Sequence, residues 1–247
     1  MEPMESSEAI EKIILSRDGD WEFDHQVSLV FDDHVRKSIP CYNDIQELIG
    51  ILSKRILSHN SLVYDLGTAT GEIIRSIHRA NPNTKIRYVG VDKSVSMLKV
   101  AREKCRTMKQ VTFYNQDLET FTFKPAELIV AAFTFQFIKT EHRPFILESI
   151  YKALKPNGHF ILCEKISYAD AAEHDFFVNV HHTWKENHFT FEEIRAKKER
   201  LKHIMQPLTL EENMALLGQA NFEHPQLFFK WCNFACILAK KAMVDHL

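Results

Sequence analysis

The chain has 247 residues, a length that a single α/β domain often has and enough to bury roughly 70% of its unfolded surface. Its 45% hydrophobic and 26% charged residues are those of an ordinary globular protein, and the net charge of −2 excludes a general basic field that would recruit nucleic acid. Five scattered cysteines with no C-x-x-C pair read as reduced, mostly buried thiols of a cytoplasmic protein, not as disulfides or a zinc site.

In chain order, the acidic opening "MEPMESSEAIEK" has no apolar core for a signal peptide, and residues 1–16 are expected to be flexible. No stretch approaches about 18 uninterrupted apolar residues, so no membrane span is expected. Residues 17–58 read as helices that cover one side of the first glycine turn, an N-terminal helical lid. From about residue 60, strand and helix signals alternate, the pattern of a mostly parallel sheet covered on both faces. "SLVYDLG" is a first strand with a helix near 70–81, and "KIRYVGVD" is a second strand before the helix "SVSMLKVAREKCRTM". "VTFYNQD" and "ELIVAAFTFQF" give the third and fourth strands. "RPFILESIYKALKPNG" reads as a helix ended by Pro156 and Gly158, and "HFILCEK" as a fifth strand. Residues 168–220 read as a helical insertion. "QLFFKW" and "NFACILAKK" then form a two-strand hairpin. The expectation is one domain over 17–247, with its core at 60–167 and 221–241. Its seven-stranded sheet is mostly parallel with an antiparallel C-terminal hairpin.

Open α/β sheets bind ligands at the carboxyl ends of their strands. Three features fall there. Gly67 and Gly71 form a turn after the first strand that permits close backbone approach to a ligand. Asp92 ends the second strand, where a carboxylate can accept from both ribose hydroxyls, although a helix-capping role competes and Ser94 also suits that role. Asp117 in "NQDL" follows the third strand and can meet an adenine edge. A pyrophosphate calls for G-x-G-x-x-G, but the spacing here is G-x-x-x-G with Ala69 in the middle. Asp65, just before the turn, repels phosphate and suits a cationic methionine amine. Together these residues point to S-adenosylmethionine.

The order "YDLGTATG", "VGVDKS", "QDL", "LKPNGHFIL" resembles the class I S-adenosylmethionine-dependent methyltransferases, with their Rossmann-like fold, over roughly residues 60–165. A narrower likeness runs over about 17–241. "GDWEFDHQVSLVFDDHVRKSIPCYNDI", "FTFQF", "CEKISYAD", "NVHH" and "LFFKWCNFACILAKK" are similar to the carboxy-S-adenosylmethionine synthase family, the Ser38–Tyr42 element in particular. That resemblance implies deprotonation of the S-adenosylmethionine methyl group, carboxylation of the ylide with carbon dioxide from prephenate, and delivery of the group to tRNA wobble uridine by a partner enzyme. It also implies a homodimer and no metal. By motif it places Tyr42 on the ligand, and Gly67, Thr68 and Ala69 along the methionine part. Asp92 and Lys93 fall at the ribose, and Asp117 and Leu118 at the adenine. Ala132 and Phe133 occupy the fourth-strand motif, and Ala132 stands where family members commonly have asparagine. Lys198 stands where the family grips the new carboxylate with arginine, so Tyr42 and Lys198 are the catalytic candidates.

Arginine offers a planar fork and lysine a point charge, so this departure leaves other outcomes open. They are methyl transfer to a small molecule, intramolecular displacement within the sulfonium, and ligand binding without turnover. Lys197 and Arg200 beside Lys198 read as a solvated helix face, either of them able to compensate. His181 and His182 point about 100° apart on a helix and read as packing residues, not metal ligands. Phe121, Phe123, Phe133, Phe135 and Phe137 alternate at strand spacing and read as core. Glu164 and Lys165 are either a surface ion pair or part of the pocket wall.

Overall fold

The computed structural model describes residues 25–243; the expected flexible stretch 1–16, the start of the N-terminal segment at 17–24, and residues 244–247 lie outside the described residues. The chain runs through α1 (His25–Ser38) and α2 (Tyr42–Ile56) into β1 (Leu62–Leu66), α3 (Glu72–Ala80), β2 (Arg87–Asp92), α4 (Val95–Lys104) and β3 (Val111–Asn115). It continues with β4 (Ala126–Ala132), α5 (Arg143–Ala153) and β5 (Leu154–Lys165). Then come α6 (Ala171–Lys185), α7 (Phe191–Leu201), α8 (Leu210–Gln219), β6 (Glu223–Trp231) and β7 (Phe234–Lys240).

The seven strands form one sheet in the order β3-β2-β1-β4-β5-β7-β6. β1 to β5 are parallel, and β7 runs antiparallel between β5 and β6. This is the class I methyltransferase arrangement. β1 is buried at every position, as a central parallel strand covered on both faces must be. Its alternate residues serve two cores. Leu62, Tyr64 and Leu66 pack with Ile146, Leu147, Ile150 and Leu217 on one face. Val63 packs with Ile45, Ile49, Ile74 and Ile77 on the other. Asp65 faces the same way as Val63, toward α2 and α3, because side chains alternate along a strand.

Local signals set the helix starts. Ser94 and Asp170 cap α4 and α6 by accepting from Met97 N and Glu173 N. Thr190 with Glu193, and Thr209 with Glu212, form capping boxes at α7 and α8.

Two expected elements differ. β4 stops at Ala132, because Phe133 takes a left-handed φ of 60° and Phe135–Phe137 then form a 3-10 turn. Phe133 and Phe135 are therefore core residues by way of a turn, not by strand alternation. Phe121 and Phe123 lie in a loop and pack edge-on against Tyr64. The helix expected to run to Pro156 ends at Ala153. Leu154 already pairs with Ala126, so Pro156 and Gly158 belong to β5.

The hairpin of β6 and β7 turns on Cys232 and Asn233, as read. All five cysteines are free, with Cys105, Cys163 and Cys236 buried. Among the described residues no helix is long and apolar enough to cross a membrane, and no cluster of three or more His, Cys, Asp or Glu can hold a metal.

Candidate functional site

The strand order reverses between β1 and β4, and over that switch point opens a cavity of about 790 Å³. Its floor is the loop after β1. Gly67 has φ 69°, and an added Cβ would stand 2.3 Å from Thr134 Oγ1, so only glycine fits there. Thr134 in turn donates to Leu66 O at 2.8 Å, tying the turn after β4 to the end of β1. Ala69 holds φ 46°, an αL position that costs an L-residue energy.

Asp65 is 1% exposed, and its Oδ2 accepts from Thr68 Oγ1 at 2.6 Å. Burial pushes its carboxyl up to about 7, against the opposing hydrogen bond from Thr68. Asp92 accepts Ala69 N at 2.9 Å through one oxygen and Ser94 N at 2.8 Å through the other. Ser94 takes the helix cap, leaving Asp92 to bridge the loops after β1 and β2. Burial raises the Asp92 carboxyl as well, and the two N–H donors partly oppose that.

Of the residues singled out from sequence, the cavity gathers Tyr42, Asp65, Gly67, Thr68, Ala69, Asp92, Lys93, Asp117, Leu118, Ala132, Phe133 and Lys198. Gly71 is not among its walls. It starts α3 from φ 82° with Cys105 Sγ and Ala101 Cβ behind it, a backbone role.

Tyr42 opens α2 after Cys41, which is itself left-handed at φ 56°. Its ring lies 6.0 Å from that of Phe133, which meets Phe234 at 6.1 Å, which meets His181 at 4.9 Å. This aromatic wall runs from α2 across the sheet edge to α6. Burial, then the negative charge of Asp32, holds the Tyr42 hydroxyl protonated. Asp32 on α1 also accepts from Thr70 Oγ1 at 2.5 Å and pairs with Lys104, clamping α1 over the turn.

Glu164 and Lys165 do not pair with each other, since adjacent strand residues point to opposite sides. Glu164 accepts from Phe135 N at 2.9 Å and Thr134 N at 3.2 Å and supports the turn after β4. Burial pushes it up to about 8, with Arg143 acting the other way. Lys165 lines the cavity, as does Lys197, which the sequence placed on a solvated face; its ammonium donates to Ser38 Oγ at 2.9 Å and reaches His34 Nε2.

Lys185 and His34 escape the sequence reading, yet both line the cavity. For Lys185 the sequence does carry a signal. His174, Val178, His181 and Lys185 recur at spacings of four, three and four on α6, one continuous helical face.

A family profile described as a methyltransferase domain matches residues 63–158. Carboxy-S-adenosyl-L-methionine synthases of Salmonella paratyphi A and Salmonella typhimurium are 35% identical over 234 residues, 93% of this chain and 95% of theirs. The chain belongs to the carboxy-S-adenosyl-L-methionine synthase family. The fold likeness extends further than that family. The human N-acetylserotonin methyltransferase in complex with SAM superimposes on 89% of this synthase-family chain with a TM-score of 0.60 at 18% identity, 56% of that enzyme being covered. An O-methyltransferase from Nostoc punctiforme covers 96% at a TM-score of 0.64 and 17% identity, with 67% of its own chain matched.

Proposed function

We propose that the protein binds S-adenosylmethionine over the ends of β1, β2 and β3 and carboxylates its methyl group, with prephenate as the carboxyl donor. The observation that carries this reading is the bipolar cavity in a chain of the synthase family. Asp65, Asp92 and Asp117 gather at the strand ends, while lysines Lys165, Lys185, Lys197 and Lys198 stand at the α6 and α7 end. A sulfonium ligand carrying an ammonium suits the first end, and a carboxylate suits the second.

In this reading Asp92 takes the ribose hydroxyls and Asp117 the adenine edge. Asp65 faces the methionine amine across the Gly67–Ala69 turn. Tyr42, held as the neutral phenol, donates to an anionic group on or beside the sulfonium methyl. Lys198 neutralises the carboxylate that forms there. Loss of carbon dioxide from prephenate expels its ring hydroxyl as hydroxide and leaves phenylpyruvate. The hydroxide takes a proton from the methyl carbon and departs as water, and the carbanion so formed adds to the released carbon dioxide. Aromatic walls that exclude water would favour that step, because water would quench the carbanion.

The test is mass spectrometry of the ligand released by denaturing the purified protein, followed by incubation of emptied protein with S-adenosylmethionine and prephenate. The expected product is heavier than S-adenosylmethionine by one carbon dioxide and forms only with prephenate. Recovery of S-adenosylmethionine alone, with no prephenate-dependent product, overturns the carboxylation and leaves methyl transfer to a small molecule.

A further inference from the structure

The α6 and α7 end of the cavity holds more positive charge than one new carboxylate requires. Lys165 comes from the end of β5, Lys185 from α6, and Lys197 and Lys198 from α7. Lys185 is only 8% exposed. Among the described residues, neither the Lys165 nor the Lys185 ammonium has a hydrogen-bond acceptor. The charged groups that act on these two are other lysines, and each is pushed down to about 8, first by burial and then by its neighbours. Burial and the same lysines hold Lys197 well below the ordinary lysine range. Three histidines share this end and are kept neutral, first by burial and then by the lysine charges: His34 and His181 are pushed down to about 2, and His182 to about 4.

Like charges held together in a cavity without a counter-ion, one buried and one half-buried, destabilise a fold, and two charges that merely neutralised surface acids would not be turned inward. They are consistent with a ligand that brings the missing negative charge. Its walls also include Val178, Ile39 and the Phe234 ring, so the ligand has a carbon body between its charges. The cations arrive from three separate elements, which suits charges spread along a molecule and not a compact inorganic ion.

We propose that Lys165 and Lys185 form a second anion subsite, separate from Lys198, that receives one carboxylate of a small dicarboxylic acid while Lys198 stays available to the other or to the product. The subsite stands on the geometry of this end of the cavity; it rests on the carboxylation reading only for which acid is native.

The experiment uses the full chain without S-adenosylmethionine, titrated calorimetrically with succinate, acetate and sulfate at fixed ionic strength. Succinate is expected to bind at least about tenfold more tightly than acetate, since two charge-assisted contacts replace one. At about pH 8.5 its binding takes up protons, read as a dependence of the heat on the buffer used, because anions restore the ammonium form of Lys165 and Lys185. The histidines stay neutral there, and Asp65, at the far end, is already a carboxylate.

Lys185→Met and Lys165→Met are expected to melt at a higher temperature than the unsubstituted protein in anion-free buffer, because a repelling charge is gone, and to lose the preference for succinate over acetate. This gain in stability separates the proposal from simple misfolding. Equal affinity for succinate and acetate, unchanged selectivity in the variants, or a lower melting temperature in both overturns it. Sulfate binding without succinate binding overturns the dicarboxylic assignment. Carboxylation could fail while succinate selectivity holds, so the two readings fall separately.

Discussion

The two ends of the cavity are built by opposite means. At the strand ends, each acid belongs to a turn between neighbouring elements, and its partners lie close by or across one strand pair. Asp65 holds Thr68, and Asp92 holds Ala69 and Ser94. At the α6 and α7 end, residues as far apart as Ser38, Lys165, His181 and Lys197 meet only because helices dock on the sheet edge. The first end is locally satisfied and rigid; the second is charged, under-compensated and dependent on helix packing. In the proposed reading, a ligand meets a preformed socket for its nucleoside at one end and uncompensated positive charge at the other.

The sharpest way to break the contrast is at the socket. Gly67→Ala adds a Cβ at 2.3 Å from Thr134 Oγ1 in a left-handed residue. It should cost about 2–4 kcal/mol of stability and abolish measurable S-adenosylmethionine binding, checked by thermal melting and calorimetry. If the variant binds normally, the turn after β1 is not the socket.

Asp65→Asn keeps the Thr68 hydrogen bond but removes the charge. It should weaken S-adenosylmethionine by about 1.5–3 kcal/mol at pH 7.5. The sign with pH comes from burial. The Asp65 carboxyl is raised to about 7, so below that pH it holds its proton and loses its pull on the ligand amine. Binding by the unsubstituted protein should strengthen from about pH 6 to about 7.5 while Asp65→Asn stays flat over that range.

At the other end, Lys198→Arg should tighten a carboxylated S-adenosylmethionine by about tenfold, or about 1.4 kcal/mol, through a bidentate contact. Lys198→Ala should weaken it. No change in Lys198→Ala would show that the anion is held elsewhere in the lysine group. The smallest effect is expected from Ala69→Gly, which relieves a φ of 46°. It should raise stability by about 1 kcal/mol, read from the denaturation midpoint.

The same contrast decides how much of the molecule was legible in the sequence. Strand signals from Leu62 to Lys165 were readable because buried parallel strands are short apolar runs ending in glycine or acid, and the ligand motifs sit on those ends. The misreading of Phe133 to Phe137 has a clear cause. A strand pattern of alternating phenylalanines is also satisfied by a left-handed residue followed by a 3-10 turn, and only the pairing of β4 with β5, which stops at Ala132 and Cys163, separates the two. From sequence Lys197 reads as a solvated helix residue, because charge runs usually are. That α7 turns it inward against Ser38 is a fact of helix docking.

The sequence by itself determined the alternation of strands and helices, the glycine turn after β1 and the acids at the ends of the first three strands. These depend on residues a few positions apart whose backbone preferences are intrinsic. The tertiary structure alone decided which lysines share a cavity, that Glu164 supports a turn while Lys165 lines the cavity, and that Gly71 starts α3 outside the cavity walls. Burial and long-range contact set those roles, and neither can be read from spacing along the chain.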